Sequence, residues 1–209
     1  RFRDLGADSI CLKDMAGLCK PAAIKMLVEA VKAETDLPVH FHTHDTSGIA
    51  AASVLAATEA GVDVIDAAMD SFSGLTSQPN LGSIVEALRD TDRDSGLDPA
   101  IIRQFSNYWE FVRKDYLGFE SDLRFGASEV YLHEMPGGQY TNLRQQAAAL
   151  GLAERWPDVA RTYAEVNQMF GDVIKVTPTS KVVGDMALMM VTRDLTPEDV
   201  VDPKTEIAF

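Results

Sequence analysis

The sequence predicts an α/β fold: the C-terminal three βα units of a (β/α)8 TIM barrel, followed by a mainly helical extension. Three observations carry this. Apolar runs ending in polar turns alternate with amphipathic stretches at a spacing of about 25 to 30 residues, as parallel strands joined by helical crossovers require. From about residue 97 the helical patterns continue without matching strands. The opening RFRDLGAD reads as the end of a helix, so five further units, roughly 150 residues at about 30 each, are expected upstream. The expected domains are residues 1–96, the incomplete barrel, and 97–209, the helical extension. A chain of this extent alone is expected neither to close a barrel nor to turn over.

The elements follow in order. SICLKDMAG is an apolar run with a polar end, a buried strand. Pro21 opens an amphipathic helix, with Ile24, Leu27, Val28 and Val31 on one face. LPVHFHTH is the second strand, and the alanine-rich stretch from Gly48 to Gly61 is a helix closed by glycine. VDVIDAAMD is the third strand and LGSIVEALRD the next helix. Helices are then expected in PAIIRQFSNYWEFVRKDYLG, GQYTNLRQQAAALGL, RWPDVARTYAEVNQMFG and SKVVGDMALMMV, and a last short one capped by Thr196 with Pro197 as its first residue.

Composition narrows the function classes. Of 209 residues, 19 are Lys or Arg and 32 Asp or Glu, a net charge of −13 with no basic stripe, so nucleic acid is not expected as a partner. No run of about 18 apolar residues is present to cross a bilayer, and no membrane partner is expected. Cys11 and Cys19, the only cysteines, lack metal or disulfide spacing and read as small buried hydrophobes in a reducing, cytoplasmic setting.

Chemistry concentrates in PVHFHTHDTSG. Residues two apart share a strand face, so His40, His42 and His44 point one way, with roots about 7 Å apart that two imidazoles can span to one metal ion. His40 lies deepest and reads as a core or supporting residue. The preceding strand ends in Lys13 and Asp14. An aspartate is an anionic ligand as it stands, whereas a lysine becomes one only as a carbamate; spacing leaves the choice open. AAIKM, around Lys25, superficially matches a biotin-attachment motif but sits inside an amphipathic helix after Pro21 rather than at a hairpin turn, and is rejected as one. Gly137 and Gly138 read as a turn before a helix.

CLKDMAGLCKP, PVHFHTHDTSG, MDSFSGLTSQPN, EMPGGQYTNL and KVTPTSKVVGD, taken together and in this order, resemble the carboxyltransferase domain of the pyruvate carboxylases over nearly the whole chain. The resemblance implies a barrel whose helical extension forms part of an active-site funnel, and transfer of CO2 from carboxybiotin to pyruvate to give oxaloacetate. It further implies that a carbamylated Lys13, His42 and His44 hold a divalent metal, Zn2+ or Mn2+, with an aspartate from upstream. It gives Thr177 the role of passing a proton between pyruvate and biotin, and places Ser180 and Lys181 where the biotin ring is received. Other domains would carry the biotin and use ATP, in a bacterial, cytoplasmic homo-oligomer, a tetramer by the family pattern. Apart from the resemblance, Thr177 reads as a turn hydroxyl before Pro178.

The sister families, biotin-dependent oxaloacetate decarboxylase and transcarboxylase subunits, are the alternative, and Lys181 and Asp45 favour pyruvate carboxylase over them. A further rival, a metal-dependent lyase or acyl-CoA condensing enzyme on a related H-x-H barrel, is not expected to carry VTPTSK; the alternative of another class is a noncatalytic oligomerising fragment.

Overall fold

The computed structural model describes residues 1–207. They form two compact units, 1–127 and 128–207 of the described chain. The first holds strands β1 (Ile10–Asp14), β2 (Val39–Thr43) and β3 (Val64–Ile65), all parallel in the order β1-β2-β3. Between them run α1 (Pro21–Glu34) and α2 (Ala50–Glu59), with α3 (Leu81–Leu88) and α4 (Pro99–Arg113) after β3. The opening residues form a 3-10 turn, Arg3–Leu5, closed by Gly6 in the left-handed region.

Local chemistry sets these boundaries. Proline stands at the first turn of α1 and α4, where its missing N–H removes no helical bond. Asn80 caps α3 by accepting from Ser83 N at 2.8 Å, and Asp98 caps α4 through Ala100 N at 2.8 Å. Ile24 and Val28 from α1 join Val39, Phe41, Val54, Ala57, Val62 and Ile84 in one core. Each Val, Ile or Phe side chain among them contributes about 1.5–3 kcal/mol by leaving water. Leu27 departs from the expected face and is exposed, while Val31 packs against the core edge.

The third strand is shorter than expected. After Ile65 only Asp66 N continues the ladder, to Phe41 O at 3.2 Å, and the small Ala67 and Ala68 lead the chain away; Ala68 makes a single bridge to Asn80. The cysteines also depart from expectation. Cys11 is exposed, because it shares the open face of β1 with Lys13, and Cys19 is half-buried. Burial, helped by the nearby Asp14 charge, pushes the Cys19 thiol up to about 11.

The units part at 127/128, later than the 96/97 expected. Residues 97–127 are stitched to the first unit: Arg113 donates to the Ser71 carbonyl, and Ala127 N donates to Thr46 O at 2.9 Å.

The second unit comprises α5 (Val130–His133), α6 (Gly137–Ala149), α7 (Trp156–Met169), α8 (Thr179–Arg193) and α9 (Pro197–Val201). Leu143, Val159, Tyr163, Val166, Val183, Ala187 and Met190 are buried in it. At Gly184 a Cβ would lie 3.0 Å from Leu143 Cδ1, so glycine lets α6 and α8 approach. Thr196 caps α9 in a reciprocal capping box with Asp199. Among the described residues no helix is long and apolar enough to cross a membrane.

His133 is 3% exposed and stacks on Tyr140 at 5.4 Å between ring centroids. Its Nδ1 accepts from Met135 N at 3.1 Å, so the neutral ring carries its proton on Nε2. Burial lowers its pKa from 6.5 to about 4. Between those two values the unfolded chain binds a proton that the folded unit refuses. Stability present above pH 6.5 is therefore lost as pH falls toward 4, by about 3 kcal/mol from this residue. Urea unfolding followed by Trp156 fluorescence, in a Trp109→Phe background, is expected to show this loss. It should flatten in His133→Asn, which keeps an acceptor for Met135 N; an unchanged slope would refute the assignment.

Candidate active site

Alternation along β2 separates two faces. Val39, Phe41 and Thr43 are buried against the helices, while His40 and His42, with His44 just beyond the strand, take the other face and are half-buried. Register places Lys13 beside His42 and Asp14 beside Thr43. The sheet thereby distinguishes the two residues that spacing left open. Asp14 Oδ1 accepts from Leu18 N and its Oδ2 from Cys19 N, both at 2.9 Å, and Oδ2 also accepts from Thr43 Oγ1 at 2.8 Å. That carboxylate is committed to holding the β1–α1 turn; Lys13 is on the histidine face.

The outer nitrogens of both site rings are engaged. His44 Nδ1 lies 2.7 Å from Thr76 O, a carbonyl that can only accept, so Nδ1 carries a proton. His42 Nδ1 lies 2.6 Å from Asp66 Oδ2. Burial pulls the Asp66 carboxyl upward, but the hydrogen bond from His42, the close approach of His40 and the charges of both rings outweigh it and hold Asp66 below the usual carboxylate range. It is therefore an ionised acceptor, and His42 too carries its proton on Nδ1.

In their neutral forms two rings so arranged turn bare Nε2 lone pairs toward each other, and these atoms are 3.4 Å apart. Burial above all, with the His42 and Lys13 charges, keeps His44 below its ordinary value against the opposing pull of Thr76 and Asp14. Two acceptors at that distance want a cation between them. Ligand nitrogens about 2.0–2.1 Å from a tetrahedral metal stand about 3.3–3.4 Å apart, so the pair fits a divalent metal. Imidazoles whose far N–H groups are held by a carboxylate and a carbonyl are the usual supported ligands. Among the described residues no group of three His, Cys, Asp or Glu side chains could hold a metal. Lys13, beside His42 on this face, could add a donor only as a carbamate.

His40 Nε2 sits 3.0 Å from Asp66 Oδ1 without hydrogen-bond alignment. Sequence reasoning missed Asp66 and Thr76. Asp66 had a signal: it follows β3 by one residue, Lys13 and His42 are the penultimate residues of their strands, and the pairing of Phe41 with Ile65 sets all three in one row. Thr76 contributes a main-chain oxygen, to which side-chain pattern is blind.

In the second unit Thr177 is exposed in the turn that enters α8. The turn-closing hydroxyl is that of Thr179, which accepts from Val176 N at 3.1 Å and reaches Ile174 O at 2.5 Å. Ser180 is buried in the first turn of α8. Lys181 is exposed and paired with Asp185 one turn on. Lys181 and Asp185 border a cleft of ≈ 620 Å³ with Gln146, Leu150, Leu188 and Arg193.

Residues 1–108, just over half the chain, match the HMGL-like family model. The chain belongs to the HMGL-like family. Within this HMGL-like chain, residues 130–209 also match the model of the conserved carboxylase domain. It is 50% identical over 204 residues to the pyruvate carboxylase of Bacillus subtilis, covering 98% of this chain and 18% of that protein. The Staphylococcus aureus pyruvate carboxylase is 49% identical with the same coverages. The carboxyl transferase domain of Rhizobium etli pyruvate carboxylase, solved with pyruvate and biocytin, superposes with a TM-score of 0.96 at 67% identity, over 100% of this chain and 35% of that one. This HMGL-like chain thus spans about a fifth of the length of the curated relatives it matches.

Proposed function

We propose that the chain is part of a biotin-dependent pyruvate carboxylase and serves the transfer of CO2 from carboxybiotin to pyruvate, giving oxaloacetate. The observation that carries this reading is the match along the whole chain to a carboxyl transferase domain solved with pyruvate and biocytin. The three parallel strands with their crossover helices are read as three units of a (β/α)8 barrel, and the helical second unit as the family's extension. Biotin is carried, and ATP used, by other domains; the homo-oligomer is read from the family.

His42 and His44 through their Nε2 atoms, and Lys13 as a carbamate, are the residues of this chain that would hold Zn2+ or Mn2+. When bound, the metal would supply positive charge that favours the enolate pyruvate forms on losing a methyl proton. Thr177 acts on the proton. A hydroxyl both donates and accepts, so Thr177 Oγ1 gives its proton to the biotin nitrogen freed as carboxybiotin releases CO2 and takes one from the pyruvate methyl group. The enolate carbon then bonds to CO2. Ser180 and Lys181 are assigned to the biotin ring. For Lys181, the exposed partner, this requires leaving the half-buried Asp185.

The test uses the full-length enzyme. Pyruvate, bicarbonate and ATP are expected to yield oxaloacetate, and avidin to stop it; no product, or avidin-resistant product, would overturn the reading. An enzyme that only decarboxylates oxaloacetate would instead belong to the sister family. Enzyme prepared in 13C-bicarbonate is expected to show a carbamate carbon signal that Lys13→Arg lacks; its absence with metal bound would contradict the carbamate.

A further inference from the structure

One carboxylate serves two imidazoles on the site face. Asp66 Oδ2 lies 2.6 Å from His42 Nδ1, and Oδ1 lies 3.0 Å from His40 Nε2. We propose that Asp66 is a positioning residue that fixes the ring of His42 as a metal ligand, and that His40 steadies the Asp66 carboxylate from its other oxygen. The proposal rests on the reading of His42 and His44 as metal ligands and assigns two residues that reading leaves without a role.

The physical argument begins with rotation. An imidazole on a strand can flip its ring, which exchanges the nitrogen presented to the site. An ionised acceptor on Nδ1–H holds one orientation and one tautomer, leaving Nε2 bare. The carboxylate has its own freedom: turning about its terminal bond would carry Oδ2 off Nδ1. A ring nitrogen against Oδ1 resists that turn. The site's other ring is served differently, since Thr76 O orients His44 as part of the main chain. Loss of the carboxylate therefore acts on one ligand of the pair. The position of Asp66 supports the assignment, because it continues the row of Lys13 and His42 across the sheet and its backbone N–H is fixed to Phe41 O at 3.2 Å. The strand end that carries it is thus tied to the strand that carries both rings.

The experiment uses the full-length enzyme and measures metal per chain by atomic emission during exposure to a chelator. It compares the unaltered enzyme with Asp66→Asn, His40→Leu, the double variant and His42→Ala. Loss of a partner behind a ligand typically weakens metal affinity by about 10- to 100-fold, and Asp66→Asn is expected to release metal faster by that factor. His40→Leu should release it faster by a smaller factor. The double variant should match Asp66→Asn alone, because His40 acts only through the carboxylate. The visible spectrum of cobalt-substituted enzyme should shift in Asp66→Asn, a change in ligand field that a merely structural role would not produce. Far-UV circular dichroism and the urea midpoint report that each variant is folded, and Asp66→Ser gives the same reading should the asparagine variant misfold.

Metal retention in Asp66→Asn equal to the unaltered enzyme, with loss in His42→Ala, overturns the proposal and leaves the metal site standing. Additive effects of the two single substitutions overturn the part assigned to His40. Retention in His42→Ala overturns the ligand reading and the proposal with it.

Discussion

Replacing Thr177 by alanine in the full-length enzyme is expected to cut oxaloacetate formation by about 10²- to 10⁴-fold, the usual worth of a positioned proton-transfer group, and to leave biotin carboxylation intact. The surroundings make the experiment clean. Thr177 is exposed, and the hydroxyl closing the turn before α8 is that of Thr179, so removing one methyl and one hydroxyl from residue 177 leaves the turn's bonds in place. The loss should fall on kcat with little change in the KM for pyruvate, since the relay is needed only as the proton moves. Thr177→Ser keeps the hydroxyl and should keep most of the rate. Thr179→Ala should instead loosen the entry to α8 and lower stability. Unimpaired carboxylation of pyruvate by Thr177→Ala would remove the relay from the mechanism.

Gly17→Ala is expected to damage both fold and site. Gly17 has φ +69, and a Cβ there would lie 2.2 Å from the carbonyl oxygen of His44 and 3.0 Å from its carbon. The left-handed backbone costs a non-glycine residue about 1–2 kcal/mol, and the clash is with main chain that cannot turn aside, adding a further 1–3 kcal/mol or so of overpacking strain. His44 is the residue displaced, so metal retention and pyruvate carboxylation should fall together with stability. Gly6→Ala is the control. Gly6 has φ +82 and open space around its would-be Cβ, so that substitution should carry the backbone cost alone. Urea midpoints of the two variants, read against metal content, separate strain from collision. Equal midpoints would show that the contact with His44 relaxes at no cost.

The helices were legible because their ends are written in local chemistry: Pro21 and Pro99 at first turns, Thr196 as a cap, Gly61 after a C-terminus. The alternation in VHFHT was equally plain, since a period of two needs no partner to be read. Features that depend on packing were hidden. Leu27 has the spacing of a core residue yet is exposed, because burial is decided by what packs against a helix face and not by its own periodicity. VDVIDAAMD has the apolar content of a longer strand than Val64–Ile65, and the departure of the chain after Asp66 is a three-dimensional event. The site was half legible. Sequence singled out His42 and His44 and left Lys13 and Asp14 level; only the structure shows the three hydrogen bonds that occupy the Asp14 carboxylate. That Lys181 pairs with Asp185 follows from their spacing of four along a helix, though only the structure gives the cleft beside them.

The two rings facing each other at Nε2 are unequally exposed to genetic change. His44 takes its orientation from the carbonyl of residue 76, an atom that every amino acid brings, so the codon at that position can drift without withdrawing the acceptor. His42 takes its orientation from the carboxylate of Asp66, which a single base change can erase. A substitution at residue 76 thus leaves the acceptor of His44 in place, whereas one at residue 66 takes away that of His42.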